Sequence, residues 1–174
     1  MNFSKNQAIE MLSKTPSVLN TQLNTLSLEW THTPEGPDQW SVFDIVGHLV
    51  HGEKTDWTNR IKIISRNQEN KTFPPFDRFA QLLDNKDKSL QDLLDEFQVL
   101  RTRNLDFLKS IECDDAQLTR TGIHPALGEV TLRNLLSTWV AHDLNHCSQI
   151  NRVMAKRYID DVGPWKEYLP ILNR

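Results

Sequence analysis

Four stretches in which apolar residues recur every three or four positions, with almost no apolar alternation and only six glycines between them, restrict this 174-residue chain to helices. The first stretch carries Ile9, Leu12, Leu19, Leu23 and Leu26. It is crossed by Pro16, which has no amide donor, so a bend or a split is expected there. Pro34, Gly36 and Pro37 then make 31–40 a loop. A second helix is predicted from Ser41, with Asp44 as the reciprocal acid of a capping box, to about Arg66. Its apolar side is Val42, Ile45, Val46, Leu49, Ile63 and Ile64. The third starts near Ser89, with Asp92 in the same capping role, and follows a seam of Leu90, Leu93, Leu94, Phe97, Leu100, Leu108 and Ile111. The fourth runs from Thr131 through Tyr158 on Leu132, Leu135, Trp139, Ile150 and Val153, and Gly163 with Pro164 ends any helix beyond it. The expected fold is an all-α four-helix bundle, with connections at 31–40, 67–88 and 112–130 long enough for crossovers as well as hairpins. Neither an internal repeat nor a shift in composition divides the chain, so 1–174 reads as one domain.

Charge narrows the function classes. Twenty Lys and Arg against 23 Asp and Glu give a formal charge of -3 and a pI near 6.1. That leaves no global cationic field for nucleic acid or an anionic membrane. A nucleic-acid binder would need the basic residues of LRTRNLDFLK and NRVMAKR to meet in one patch. No apolar run approaches the ~18 residues of a spanning helix and the first residues lack the apolar core of a leader, so a soluble, cytoplasmic protein is expected. Cys113 and Cys147 form no CxxC and no disulfide framework, and are expected to be free thiols.

The strongest chemical signal is AHDLNH in the fourth helix, where His142 and His146 lie one turn apart on one face and can converge on a metal ion. Trp139, His142, His146, Gln149 and Val153 follow one stripe into the bundle, where imidazoles need hydrogen-bond partners or a metal. Alternatively the two histidines are simply a partly buried polar pair. A catalytic-type site needs a third ligand, and His48, at the edge of the second helix's apolar stripe, suits it better than His51, which lies nearer the polar side. Gly52, one turn on, leaves room. Asp44 and His48 otherwise make an ordinary i,i+4 polar pair. Glu53 and Asp56 read either as a further ligand or base, or as solvated or paired surface charges. Cys147 points about 100° away from His146 and reads as a packing residue. The glutamate of an HExxH protease is absent.

WSVFDIVGHLVHGE at 40–53, HPALGEVTLRNLLSTWVAHDLNHCSQINR at 124–152 and GPWKEYLPIL at 163–172 together resemble the DinB/YfiT-like superfamily of small metal-binding four-helix bundles. The resemblance implies that His48, His142 and His146 are a metal triad holding a divalent ion, zinc first, with nickel, iron or manganese as alternatives. It implies an enzyme acting on a small electrophilic substrate, by S-transfer from a low-molecular-weight thiol cosubstrate or by hydrolysis through water activated in the open metal position. It also implies a homodimer, for which Trp57, Trp165 and Tyr168 offer aromatic surface. In such a site Asp44 and Asp143 would orient ligand imidazoles, and His124 would border the pocket. The rival from another class is a metal-binding stress-response or interaction protein without catalysis.

Overall fold

Hydroxyl side chains fix where the long helices begin. In the computed structural model, which describes residues 3–66 and 69–173, Ser4 caps α1 (Lys5–Leu23) by accepting from Gln7 N. Ser41 and Asp44 close a capping box on α3 (Val42–Thr55), Ser89 and Asp92 do so on α6 (Leu90–Ser110), and Thr131 with Asn134 on α8 (Leu132–Ala155). Short helices lie between them: α2 (Leu28–Thr31), α4 (Trp57–Ser65), α5 (Ala80–Asp84) and α7 (Asp115–Leu118). The last turn of α8 tightens into a 3-10 turn at Lys156–Tyr158, and two further 3-10 segments, Gly163–Tyr168 and Pro170–Asn173, follow.

Three expectations about local structure need correction. Helix α1 runs through Pro16 without a split, because the Leu12 carbonyl that proline leaves without a donor accepts instead from Arg101 Nη1 at 2.8 Å. The second helix is not continuous to Arg66. It breaks at Asp56 (φ -110°, ψ -75°) into α3 and α4, and the break accompanies the packing of Trp57 onto Trp139, 5.6 Å between ring centroids and 10° apart in plane. The connection 112–130 is not all loop, for β1 (Thr121–His124) pairs antiparallel with β2 (Gly128–Thr131). Gly128 takes φ +76° at the turn, and His124 Nδ1 accepts from the amides of Ala126 and Leu127. Strands of four residues are too short to carry a readable alternation.

Helix α1 packs on α6 and α8, and α3 packs on the same two, so α1 lies diagonally across from α3, and α6 from α8. Lys5 Nζ reaches the Ile111 carbonyl, making α1 and α6 antiparallel, whereas Thr15 with Asp143 and Gln22 with Asn151 make α1 and α8 parallel. The α3–α4 pair and α6 also run parallel. Val46 and Leu49 share one cluster with Leu93 and Phe97, and Ile61 and Ile64 share the other with Leu105 and Leu108. The connection from α4 to α6 therefore travels back along the bundle, where it lays Phe73, Phe76 and α5 over the α3–α4 face. It is tied down by Phe73 N donating to the Ile123 carbonyl and Ile123 N to the Lys71 carbonyl.

Between the two apolar clusters lies a polar layer drawn from all four long helices: Thr15, Glu53, Arg101, Asn104 and Asp143, each at most 7% exposed. No helix of the described residues is long and apolar enough to cross a membrane.

The hairpin is held close by one missing side chain. A Cβ on Gly122 would come 2.5 Å from Phe73 Cε1 and 3.0 Å from Ile64 Cγ1, both in the core. Gly122→Ala is expected to cost about 1–3 kcal/mol by overpacking. Urea unfolding of the variant measures it.

Candidate metal centre

Antiparallel packing of α3 on α8 brings His48 opposite the His142–His146 pair. His142 Nε2 lies 3.1 Å from His48 Nε2 and 3.1 Å from His146 Nε2. An imidazole nitrogen carries at most one hydrogen, so His142 Nε2 can satisfy only one of these neighbours by hydrogen bonding. A divalent ion bound at 2.0–2.1 Å from each nitrogen of a tetrahedral set would space them about 3.3 Å apart. The observed separations therefore fit a shared ion.

Protonation favours the same role. Burial pushes His48 and His142 down to about 3, with the other imidazoles adding to the effect, and burial also lowers His146. All three are neutral near pH 7 and present lone pairs. His146 Nδ1 is paired with Gln149 Oε1 at 2.8 Å, which places its proton on Nδ1 and leaves Nε2 free to ligate. The Nδ1 atoms of His48 and His142 are buried without a hydrogen-bond partner among the described residues.

The low proton affinity of this cluster has a measurable consequence for the metal-free chain. His48 and His142 titrate at 6.5 when unfolded and about 3 when folded, so their contribution to stability is complete above pH 6.5 and is lost as pH falls toward 3. Asp56, raised from 3.8 to about 6 by burial, acts in the opposite sense, and its contribution is lost as pH rises through 6. Two histidines outweigh one carboxylate. The urea midpoint of the metal-free protein is expected to fall between about pH 6.5 and about pH 4, and an unchanged midpoint would contradict the assignment.

Beside the triad opens a cavity of about 800 Å³, with His48 and His142 in its wall. Trp57, Phe73, Phe76 and Leu135 supply apolar lining, while Asp56, Arg60, Arg78 and His124 supply the charged and titratable groups. Phe76 covers both His48 and His51, 5.6 and 5.1 Å between ring centroids.

The sequence profile of the DinB superfamily matches residues 11–150, from within α1 to the turn of α8 beyond the histidine pair. The chain belongs to the DinB superfamily. No curated protein sequence matches it. Among solved structures it is similar to YfiT from Bacillus subtilis, described as a probable metal-dependent hydrolase with an unusual four-helix bundle topology. The two share 24% identity at a TM-score of 0.74, over 88% of this chain and 87% of that one. That likeness shows the fold, and the diagonal order of α1 and α3 and of α6 and α8 is the form it takes in this DinB protein.

The carboxylates are arranged differently from the sequence expectation. Asp44 does not orient His48, because its Oδ2 is taken up by Ser41 N and Oγ in the capping box. Asp143 does not bond an imidazole either. It accepts from both Arg101 Nη groups and from Thr15 Oγ1, and so faces α6 and α1. Glu53 is neither ligand nor surface charge: at 1% exposure it accepts from Arg101, Asn104 and Trp139. His51 is buried rather than on a polar side, and stands outside the cluster of three nitrogens. Trp57, expected as interface surface, is 5% exposed in the core, while Trp165 and Tyr168 are exposed. Cys147 packs half-buried beside the second apolar cluster, and burial pushes its thiol up.

Sequence reasoning passed over Gln149 as a partner, although its place three residues after His146 on the same stripe signalled it. The basic segments LRTRNLDFLK and NRVMAKR spend several of their cations on the protein's own acids. Arg101 is buried, and Arg152 and Lys156 both pair with Glu35.

Proposed function

We propose that His48, His142 and His146 hold one divalent metal ion, and that the adjoining cavity is the active site of a metal-dependent hydrolase acting on a small molecule. The observation that carries this reading is the convergence of three neutral Nε2 atoms beside a cavity of about 800 Å³. Catalytic zinc sites use three protein ligands and keep one position open. Zinc suits the all-imidazole set, and nickel, iron and manganese are the alternatives. A bound ion supplies Lewis-acid chemistry, lowering the pKa of a water or thiol in its open position.

The chain's own residues do the rest. Gln149 fixes the ring of His146, and Trp57 meets the edge of His142 at 5.1 Å. Trp57, Phe73 and Phe76 keep that side of the cavity apolar. Asp56 is the one carboxylate lining the cavity among the described residues, and with a pKa of about 6 it is suited to accept a proton near neutral pH. The description of YfiT as a probable metal-dependent hydrolase supports this reading.

S-transfer from a low-molecular-weight thiol is the second reading. What favours it is that Asp56 is engaged by Arg60, 2.6 Å away, and a thiol held by an ion on the three histidines would need no protein base. The two are separated by assaying the metal-loaded chain against a panel of amides and esters, and against small electrophiles with and without added thiol. Turnover is expected to vanish on chelation, to return with zinc, to rise with pH through neutrality and to survive Cys147→Ser. A metal-free chain that turns over as fast as the loaded one ends the proposal. Metal binding with no turnover on either panel leaves a non-catalytic metal-binding protein.

The cytoplasm and a homodimer complete the proposal. Trp165 and Tyr168, 71% and 79% exposed, supply aromatic surface for a second copy. Light scattering that finds a monomer at micromolar concentration rejects the dimer.

A further inference from the structure

Arg60 and Arg78 share the cavity wall with the histidines. Arg60 is only 9% exposed. Its Nε lies 2.6 Å from Asp56 Oδ1, in a geometry that makes no hydrogen bond, and its Nη groups donate to no acceptor among the described residues. Its guanidinium carbon is 5.2 Å from the centre of the Phe73 ring. Arg78 lies over Phe79 at 4.7 Å and Trp40 at 6.0 Å, and Trp40 in turn sits 4.9 Å from His48. Among the described residues no carboxylate pairs with Arg78.

Both guanidinium groups are thus held against aromatic faces, Arg60 ion-paired with Asp56 alone and Arg78 with no carboxylate among the described residues. Buried donors are ordinarily paired, yet the buried Arg60 Nε has no well-aligned acceptor among the described residues, and Arg60 lines the cavity. Asp56 offsets one of the two charges, which leaves the wall cationic. Trp57, Phe76, Leu127, Val130 and Leu135 give the wall most of its apolar area, and His124, Asn134 and Thr138 add uncharged polar groups. A planar fork matches a carboxylate through two parallel hydrogen bonds, and aromatic stacking fixes it in advance of binding.

We propose that Arg60 and Arg78 form an anion subsite of this cavity, which takes a small organic molecule with an apolar body and a carboxylate, its reacting end turned toward the three histidines. The orientation rests on the metal-centre reading, while the capture of the carboxylate does not.

The test compares 4-phenylbutyrate with 4-phenylbutyramide, which share an apolar body and differ in charge, by calorimetric titration of the full chain, metal-free and zinc-loaded. The carboxylate is expected to bind at least about tenfold tighter than the amide in both forms, the gain of one charge-assisted contact. Arg78→Gln changes an exposed side chain and should reduce that ratio toward one while leaving amide binding unchanged. Arg60→Gln alone would strand Asp56, so the second variant is Asp56→Asn/Arg60→Gln, whose fold is checked by its circular dichroism melt. The same loss of preference is expected. Equal binding, no binding of either compound in both forms, or a preference that survives both variants overturns the subsite. A carboxylate preference in the metal-free chain, combined with metal content that histidine substitution does not change, upholds the subsite and removes the metal centre instead.

Discussion

The chain loaded with zinc and then desalted is expected to retain about one ion, and His142→Ala/His146→Ala is expected to retain almost none. The double variant leaves His48 as the only nitrogen of the three, and one imidazole cannot close a coordination set that needs three. Each single substitution should weaken binding by at least roughly tenfold, and Gln149→Ala, which frees the His146 Nδ1 hydrogen, by about 10–100-fold. His51→Ala makes the informative control. It removes a buried imidazole one turn from His48 without touching the cluster, so its metal content should match the parent. Elemental analysis across the series decides the matter. Unchanged metal in the double variant eliminates the triad, and loss in His51→Ala would mean that burial on α3 rather than ligation governs uptake.

How far the sequence reached depended on whether a residue's role was local. The starts of α3 and α6 were readable because a capping box is a four-residue device written in consecutive chain. The triad was readable for a similar reason. Turn-spaced histidines on an inward stripe announce themselves, His48 stood at the edge of the second helix's apolar stripe, and the family resemblance agreed with all three. What escaped was decided by distant partners. Asp44 and Asp143 have the right charge and a place near the histidines along the chain, but Ser41 claims the first and Arg101 with Thr15 the second. The third helix's seam was traced from Phe97 through Leu100 to Leu108, passing over Arg101 and Asn104, which the structure buries. Their positions four and seven residues after Phe97 are core positions, so the signal was present as a polar interruption of an apolar face. Pro16 shows the same dependence. Its effect on α1 is set by the guanidinium of Arg101, far downstream in the chain. No spacing rule marks Arg60 or Arg78, whose approach to one cavity is made by the returning connection between α4 and α6.

Arg101→Met is expected to be the most destabilising single substitution in the chain, at roughly 3–5 kcal/mol, because removing the cation of a buried pair leaves its carboxylates uncompensated. Here there are two, Glu53 and Asp143, each at most 2% exposed, and the Leu12 carbonyl loses the donor that replaces the one Pro16 lacks. Methionine fills much of the same volume, so the loss reads out charge and hydrogen bonding rather than a cavity. Neutralising the acids at the same time should recover part of it. Glu53→Gln/Arg101→Met/Asp143→Asn is expected to unfold at higher urea than Arg101→Met alone, a non-additivity that independent sites would not show. The effect should also reach the metal. Glu53 Oε1 accepts from Trp139 Nε1 at 3.0 Å, Trp139 stacks on Trp57, and Trp57 meets the edge of His142 at 5.1 Å. Loosening Glu53 therefore loosens the ring against which a ligand imidazole rests, and Arg101→Met should bind zinc more weakly even under conditions where it is fully folded. Equal zinc affinity in the folded variant would show that the polar layer holds the bundle together without setting the geometry of the three histidines.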